Sequence, residues 1–305
     1  MQEEYAPVVI FCYNRLSHLR VTLEALSKDT YSQYSNLYIF SDGAKGVNDY
    51  DSVQELRDFL SEWKKSTCFA NVSIKCSDSN KGLANNIIEG VTSVINTYGK
   101  VIVLEDDIKV LPGFLQYMNE SLKNYEHDFR VWQISSHLYP VGSISEPKLI
   151  PFSNCWGWAT WKNRWEHFSK KPEEVYSCLE NQDVRMLFNN LSYTKDYYKQ
   201  VVNNYTGRSN TWAIFWYSTI FNHNGLTLYP PKVLSTNIGM DESGVHCSKE
   251  GRLMNSLEDD ISYQSIKRFP TQVDYKYYFR VLLFIKNNQP SLIYRVWRRI
   301  RKYVK

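Results

Sequence analysis

Strand and helix patterns alternate along the first hundred residues, and this alternation constrains the fold more than any other feature. Four short segments are predicted as strands: the apolar runs at 8–11, 37–40 and 101–104, and residues 72–76 between the second and the last of these. After the first run, leucines recur at 16, 19, 23 and 26, a spacing that lines one face of a helix. The segments 53–63 and 83–94 carry similar helical spacing. Together these elements predict an α/β fold with a mostly parallel sheet flanked by helices.

Three of the predicted strands end in polar tripeptides, which are Tyr13-Asn14-Arg15, Ser41-Asp42-Gly43 and Glu105-Asp106-Asp107. In parallel sheets, ligands bind beyond the carboxyl ends of the strands, where the loops converge. The three tripeptides are therefore expected to share one crevice.

The acidic tripeptide follows directly from a buried strand and is the strongest chemical signal in the chain. Carboxylates at such a position suit a hard divalent cation that neutralises the phosphates of a nucleoside diphosphate. The alternative is a helix start, since acidic residues favour a first turn and Pro112-Gly113 follows closely.

Two further loops carry candidate ligand contacts. Asp42 can accept hydrogen bonds from a nucleobase or ribose, although Asp-Gly is also a common turn. In the second loop, Asn80 is a candidate contact to the nucleotide donor, and its alternative role is a helix cap. Lys81 is a candidate phosphate or base contact, and Gly82 allows close backbone approach to a ligand.

These motifs, together with Asn85-Asn86, resemble those of the GT-A glycosyltransferases over roughly residues 5–250. The closest likeness is to bacterial glycosyltransferase family 2 enzymes and the N-acetylglucosaminyltransferase I group. The resemblance implies that Tyr13, Arg15 and Asp42 hold the nucleobase and ribose. It also implies that Asp107 ligates manganese, and that Asp106 or Glu105 contacts the ribose or sugar.

Two later segments extend the resemblance. Residues 154–161 resemble a Gly-Trp segment, which implies that Gly157 and Trp158 line the donor-sugar pocket. Residues 237–246 resemble a glycine-rich loop that closes over the diphosphate, which makes His246 a candidate second metal ligand or pyrophosphate contact.

One departure concerns the catalytic base. The related enzymes carry an Asp beside a Trp, whereas this chain has Ala213 after Trp212. Either the base comes from elsewhere, with Glu166, Asp183 and Asp241 as candidates, or the reaction does not use that arrangement. The sequence does not choose among them.

The resemblance predicts metal-dependent transfer, with Mn²⁺ or Mg²⁺, of a sugar from a UDP-linked donor to a glycan or lipid-linked acceptor, with inversion. A sugar nucleotidyltransferase is an alternative, but residues 13–17 lack the glycine that a triphosphate-binding loop needs. A non-catalytic nucleotide- or glycan-binding protein on the same core is the second alternative.

Positive charge is concentrated at the C-terminal end. Residues 291–305 carry six basic residues and no acid, whereas the whole chain has a net charge of only +4. This distribution argues against a nucleic-acid-binding protein and predicts a basic amphipathic helix on an anionic membrane surface. The alternative is a helix packed on its own domain.

The remaining features bear on location and organisation. No signal peptide and no apolar run of membrane-spanning length are apparent in the sequence. Two of the six cysteines, Cys12 and Cys76, lie in apparent buried strands. These features predict reduced thiols in a cytoplasmic protein. The expected organisation is a nucleotide-sugar-binding half at 1–130, an aromatic-rich donor-sugar and acceptor half at 131–270, and a helical basic tail at 271–305.

Overall fold

The computed structural model describes residues 5–194, 196–239, 265–266 and 269–288. Its main sheet has eight strands in the order β3-β2-β1-β4-β8-β6-β9-β7. These strands are β1 Val8–Cys12, β2 Asn36–Ser41, β3 Asn71–Cys76, β4 Lys100–Glu105, β6 Val131–Ser135, β7 Lys148–Ile150, β8 Trp158–Trp161 and β9 Leu226–Tyr229. All run in the same direction except β7 and β8, which are antiparallel to their neighbours.

The sheet is flanked by helices, and the predicted α/β class with a mostly parallel sheet is confirmed. The helices are α1 Leu16–Ser27, α2 Val47–Trp63, α3 Leu83–Tyr98, α4 Phe114–Tyr125, α5 Lys162–Trp165, α6 Pro172–Cys178, α7 Gln182–Phe188, α8 Asp196–Tyr205, α9 Ala213–Asn222 and α10 Tyr275–Asn287. A second, two-stranded sheet pairs β5 Ile108–Val110 with β10 Ser235–Asn237 in antiparallel fashion.

The first half of the chain follows its hydrophobic pattern closely. Every residue of β1 is buried, as expected for a strand with parallel neighbours on both sides and helices on both faces. In contrast, β3 forms the edge of the sheet, and Cys76 is exposed there. The expectation of a buried Cys76 was therefore wrong, because the local sequence does not reveal whether a strand is central or at the edge of the sheet. All five described cysteines are free thiols.

The second half continues the same sheet instead of forming a separate layer. Strand β8 pairs with β4, and β6 and β9 extend the sheet beyond it. Helices α6 to α9 form a cluster whose aromatic side chains contact the core beneath β8. Residue 130 thus lies between α4 and β6, and β6 belongs to the same sheet as β1 to β4. The exact domain limits stay a prediction.

The order of the strands reverses at one place, and a ligand crevice is expected there. From β1 the chain builds outward to β2 and β3, and it then returns to the other side of β1 with β4. At such a reversal the loops that leave the two central strands diverge, and ligands bind in the gap between them. The loops concerned begin at Tyr13 and Asp106.

Within the described residues, no helix is long and apolar enough to cross a membrane. The predicted amphipathic helix at 291–305 lies outside the described residues.

Candidate functional site

An ion-paired cluster lies where the crevice opens. Arg15, which immediately precedes α1, points its guanidinium at the two acidic residues that follow β4. Its Nη2 atom contacts the Oδ1 atom of Asp106 and lies 2.9 Å from the Oδ2 atom of Asp107. Two of the predicted tripeptides are therefore in direct contact, as the shared crevice requires.

Backbone hydrogen bonds hold the acidic segment in place. The Asp106 amide donates to the Phe11 carbonyl at 2.9 Å, which continues the β1–β4 ladder by one residue. From α1, the Thr22 hydroxyl donates to the Asp106 carbonyl at 2.8 Å. The Asp107 carbonyl accepts from the Ile238 amide at 2.8 Å, so the loop after β10 closes the other side. The acidic segment is thus fixed by the strands and not by a helix start, since α4 begins only at Phe114.

The cluster carries more negative than positive charge. Burial, together with repulsion from Asp107 and Asp106, raises the pKa of Glu105. Burial likewise raises the pKa of Asp106, although the Arg15 charge opposes that shift. Further positive charge at this position would therefore favour the ionised carboxylates.

The donor chemistry of the acidic segment suits Mn²⁺ or Mg²⁺, because both prefer carboxylate oxygens. Within the described ranges, no three His, Cys, Asp or Glu side chains are grouped as a metal site. Mg²⁺ usually takes only one or two protein carboxylates and completes its shell with water and substrate phosphates, so Asp107 and Asp106 fit such an ion. His246, the predicted second ligand, lies outside the described residues.

Gly239 packs directly against this cluster. A Cβ atom at this position would lie 2.2 Å from Asp107 Oδ2 and 2.9 Å from Arg15 Nη1. The Gly239 amide donates to the Asn237 side chain at 2.8 Å, which fixes the turn. Only glycine allows the loop after β10 to approach the carboxylate this closely.

Asp42 is buried, and its carboxylate accepts hydrogen bonds from neighbouring loop residues. Its Oδ1 atom accepts from the amides of Gly43 and Lys81, both at 2.9 Å. Its Oδ2 atom accepts from the Gly82 amide at 2.9 Å and from Asn80 Nδ2 at 3.2 Å. Asp42 therefore organises the loop between β3 and α3, and its predicted contact with a nucleobase or ribose stays a prediction.

The neighbouring loop residues also have partners. The Asn80 side chain donates to Asp42 and to the Gly43 carbonyl, and no side chain caps the start of α3, so the alternative cap role is wrong. Its predicted contact with the donor stays a prediction. Lys81 forms an exposed ion pair with Glu89 at 2.6 Å. Gly82 has φ +75° and open space where a Cβ would stand, so a ligand can approach its backbone.

Tyr13 lies at the mouth of the crevice. Its hydroxyl donates to Asp49 at 2.8 Å and accepts from the Lys45 amide at 2.8 Å. The Asn14 side chain donates to the other oxygen of Asp49 at 3.3 Å. These bonds tie the loop after β1 to the first turn of α2 and fix the position of the Tyr13 ring.

The far wall of the crevice is built around Gly157, which has φ +76°. A Cβ there would lie 2.3 Å from the Ser136 hydroxyl and 3.4 Å from Leu104. The Ser136 hydroxyl donates to the Gly157 carbonyl at 2.9 Å, and the Ser235 hydroxyl donates to the Trp156 carbonyl at 2.7 Å. Gly157 therefore joins three loops at the carboxyl edge of β4, close to the acidic segment.

Trp158 does not line this wall, in contrast to the expectation. Its side chain is 1% exposed and packs in the core, where its ring lies 5.4 Å from that of Trp212 and 5.8 Å from that of Trp216. Side chains alternate between faces along a strand, and Trp158 is on the face that α9 covers. The half-buried Trp156, two residues earlier, is the tryptophan nearer the crevice.

The candidate bases are dispersed. Glu166 is exposed beyond the end of β8, whose last residue Trp161 pairs with Lys100 at the amino end of β4. Glu166 therefore lies at the opposite edge of the sheet from the acidic segment, and the structure does not support it as the base. Asp183 is exposed in the first turn of α7, in the helical cluster. Asp241 lies outside the described residues, and Ala213 is the first residue of α9.

Several residues that shape the site were not predicted. Thr22 and Asp49 hold the loops after β4 and β1, and Arg57 donates to the carbonyls of Asp42 and Ser77 at 3.1 and 2.7 Å. All three lie on helices among ordinary polar residues. Their roles depend on contacts between distant segments, which hydrophobic periodicity does not reveal.

His137, just after β6, is also part of the wall and also escaped prediction. It is 1% exposed and packs edge-on against Trp156 and Tyr139, with ring centroids at 4.8 and 4.9 Å. Neither ring nitrogen makes a well-formed hydrogen bond to a described residue. Burial lowers the pKa of His137 to about 4, although the Ser235 backbone opposes the shift.

Comparison with protein-family models gives no match, and no curated protein matches either. Among solved structures, the chain is similar to S. aureus TarS 1–349, with a TM-score of 0.36, 9% identity, and coverage of 53% of this chain and 48% of that chain. It is similar to the glycosyltransferase GlyE of Streptococcus pneumoniae TIGR4, with a TM-score of 0.34, 9% identity, and coverage of 59% and 40%. It is also similar to the galactosyltransferase LgtC in complex with donor and acceptor sugar analogs, with a TM-score of 0.37, 11% identity, and coverage of 73% and 72%.

The aligned part spans less than half of the TarS and GlyE chains.

Proposed function

We propose that this chain is a metal-dependent glycosyltransferase that takes a sugar from a nucleotide donor. The observation that carries the proposal is the contact of Arg15 with Asp106 and Asp107 at the strand reversal between β1 and β4. Buried carboxylates, a guanidinium and a glycine loop at one crevice are suited to binding a diphosphate together with its counter-ion.

Asp107, assisted by Asp106, would hold Mn²⁺ or Mg²⁺. The bound ion would supply positive charge that stabilises the departing nucleoside diphosphate. Arg15 keeps both carboxylates oriented toward the crevice and adds a fixed positive charge beside them. Gly239 keeps the loop after β10 against Asp107, so the backbone of this loop would lie near the same phosphates.

The nucleoside would occupy the side of the crevice formed by β1 and β2. There, Tyr13 is held by Asp49, and the loop organised by Asp42 exposes the backbone at Gly82. A UDP-linked donor and inversion of configuration are proposed from the family resemblance. The donor sugar would lie toward Gly157 and Trp156, with a glycan or lipid-linked hydroxyl as acceptor.

The attacking hydroxyl needs a base. Of the three candidates, we retain Asp241, because it follows Gly239 by two residues and Gly239 is in contact range of Asp107. Asp241→Asn should therefore lower turnover without weakening nucleotide binding.

The experiment that tests the proposal is a thermal-shift screen of UDP, GDP, CDP and CTP, each with and without Mn²⁺. A ligand present at about 100 times its Kd adds about 2.7 kcal/mol to the stability of the folded state. We expect one nucleoside diphosphate to raise Tm only with Mn²⁺, and Asp107→Ala to abolish the shift while the exposed control Asp51→Ala retains it. A shift with the triphosphate alone would instead favour a nucleotidyltransferase.

A further inference from the structure

The outer face of α10 combines apolar and basic side chains. Tyr275, Phe279 and Leu283 recur every four residues and are 61%, 42% and 46% exposed. Lys276 and Lys286 are exposed on the same side of the helix. The opposite face is the one that holds α10 on the protein, through the buried side chains of Tyr277, Val281 and Leu282. The outer apolar side chains are therefore not needed to attach the helix.

A neighbouring loop places another apolar side chain beside this helix. Asn190, Leu191 and Ser192 have φ values of 49°, 55° and 68°, a left-handed conformation that costs about 1–2 kcal/mol per residue. Asn190 is buried and accepts a hydrogen bond from the Tyr278 hydroxyl of α10 at 2.6 Å. Leu191 remains 43% exposed. The strained loop is thus anchored to α10 through Asn190, and it holds the neighbouring Leu191 side chain in solvent.

The charge around this face identifies what it fits. Helix α10 contains Lys276, Arg280 and Lys286 and no Asp or Glu. A face with this charge repels a second copy of itself. Exposed aromatic and aliphatic side chains flanked by lysines are instead typical of helices that lie at an anionic lipid surface.

The face also lies on the same edge of the sheet as the crevice. Asp274, which precedes α10, pairs at 3.0 Å with Lys148, the first residue of β7. Lys148 in turn pairs with Tyr229 at the carboxyl end of β9. Arg280 donates at 2.8 Å to the Val141 carbonyl in the loop that follows β6.

From these relationships we propose that the outer face of α10, with Leu191 beside it, is a docking surface for an anionic lipid bilayer. The apolar side chains enter the interfacial region, while Lys276 and Lys286 contact the anionic headgroups. The docking surface does not depend on the proposed sugar transfer.

Vesicle co-sedimentation of the full chain tests the proposal, with phosphatidylcholine vesicles that do or do not contain phosphatidylglycerol. The double variant F279S/L283S removes two apolar side chains without changing charge. We expect its partition coefficient on the anionic vesicles to fall about tenfold or more, because each side chain loses its transfer from water. The matched control is V47S/Y50S, which removes two exposed apolar side chains from α2 and should bind like the parent.

Charge is tested with K276Q/K286Q, which should weaken binding to anionic vesicles and reduce its dependence on salt. Circular dichroism and nucleotide-induced thermal shifts should match the parent for all variants, which separates this proposal from the proposed function. Parent-like binding of F279S/L283S would overturn the proposal, as would equal binding to neutral vesicles. If binding is lost only when residues 291–305 are deleted, the membrane contact belongs to that segment alone. If the parent forms a dimer in solution and F279S/L283S dissociates it, the face binds a second copy of the chain.

Discussion

The Nη2 atom of Arg15 lies 2.9 Å from the Oδ2 atom of Asp107, and it also contacts Asp106. This relationship joins the loop after β1 to the loop after β4. It leaves one guanidinium to balance two buried carboxylates, with Glu105 adjoining them.

Replacing Arg15 with methionine should therefore destabilise the protein in the absence of metal. Removal of the guanidinium leaves the buried carboxylates without a compensating charge. Because the Arg15 side chain is 21% exposed, we expect the free energy of unfolding to fall by about 2 kcal/mol, which is below the range for fully buried pairs. Mn²⁺ should raise Tm more in this variant than in the parent, since it substitutes for the missing charge. Urea denaturation with and without Mn²⁺ measures both effects, with Lys45→Met as the exposed control; parent-like stability would show that the ion pair is not significant.

Asp42→Ala should lower stability by at least about 2 kcal/mol, because three backbone amides and the Asn80 side chain lose their acceptor. Asp42→Asn retains one oxygen and should fall between the alanine variant and the parent. The urea midpoint at constant m-value measures this order. A stable Asp42→Ala protein that has lost nucleotide binding would instead indicate that Asp42 acts mainly on the ligand.

Gly239→Ala should disturb the cluster locally, because its Cβ would stand 2.2 Å from Asp107 Oδ2. We expect the Mn²⁺-dependent affinity for the nucleoside diphosphate to fall about tenfold, which corresponds to about 1.4 kcal/mol. Gly46→Ala is the control, because nothing lies within 4 Å of the added Cβ. Calorimetric titration of both variants makes the comparison; equal affinities would separate the Gly239 loop from the binding site.

His137 should make stability depend on pH. Burial lowers its pKa from 6.5 to about 4, so between these values the unfolded chain binds more protons than the folded one. The stabilisation is complete above pH 6.5 and is lost as pH falls toward 4, by about 3 kcal/mol in total. His137→Phe, which keeps the ring contacts, should flatten this part of the pH–stability curve, whereas the exposed control His127→Phe should not. An unchanged slope in His137→Phe would show that His137 is not the responsible group.

The sequence predicts the first half of the fold well, because β1 to β4 and the helices between them carry clear periodicities. The second half was harder, since β6 to β9 have only three to five residues each. Their positions in the sheet are decided by pairing with distant strands. Trp158 illustrates the difficulty, because the Gly-Trp pattern does not show on which face of β8 the side chain lies.

The site shows a similar division. The contact of Arg15 with Asp106 and Asp107 follows from the expected convergence of strand ends. The internal bonds of Asp42 and the location of Glu166 at the opposite edge depend on strand directions and loop contacts. Neither leaves a local pattern in the sequence.

The central claim is tested most directly by following nucleotide-sugar consumption with mass spectrometry, in the presence of Mn²⁺ and a panel of glycan and lipid-linked acceptors. We predict release of a nucleoside diphosphate together with a glycosylated acceptor, abolished in Asp107→Ala and retained in Asp51→Ala. Full turnover by Asp107→Ala would contradict the metal assignment. Binding of nucleotide sugars without release of any nucleoside phosphate would contradict sugar transfer. Release of a monophosphate or pyrophosphate instead of a diphosphate would contradict transfer from a diphosphate-linked donor.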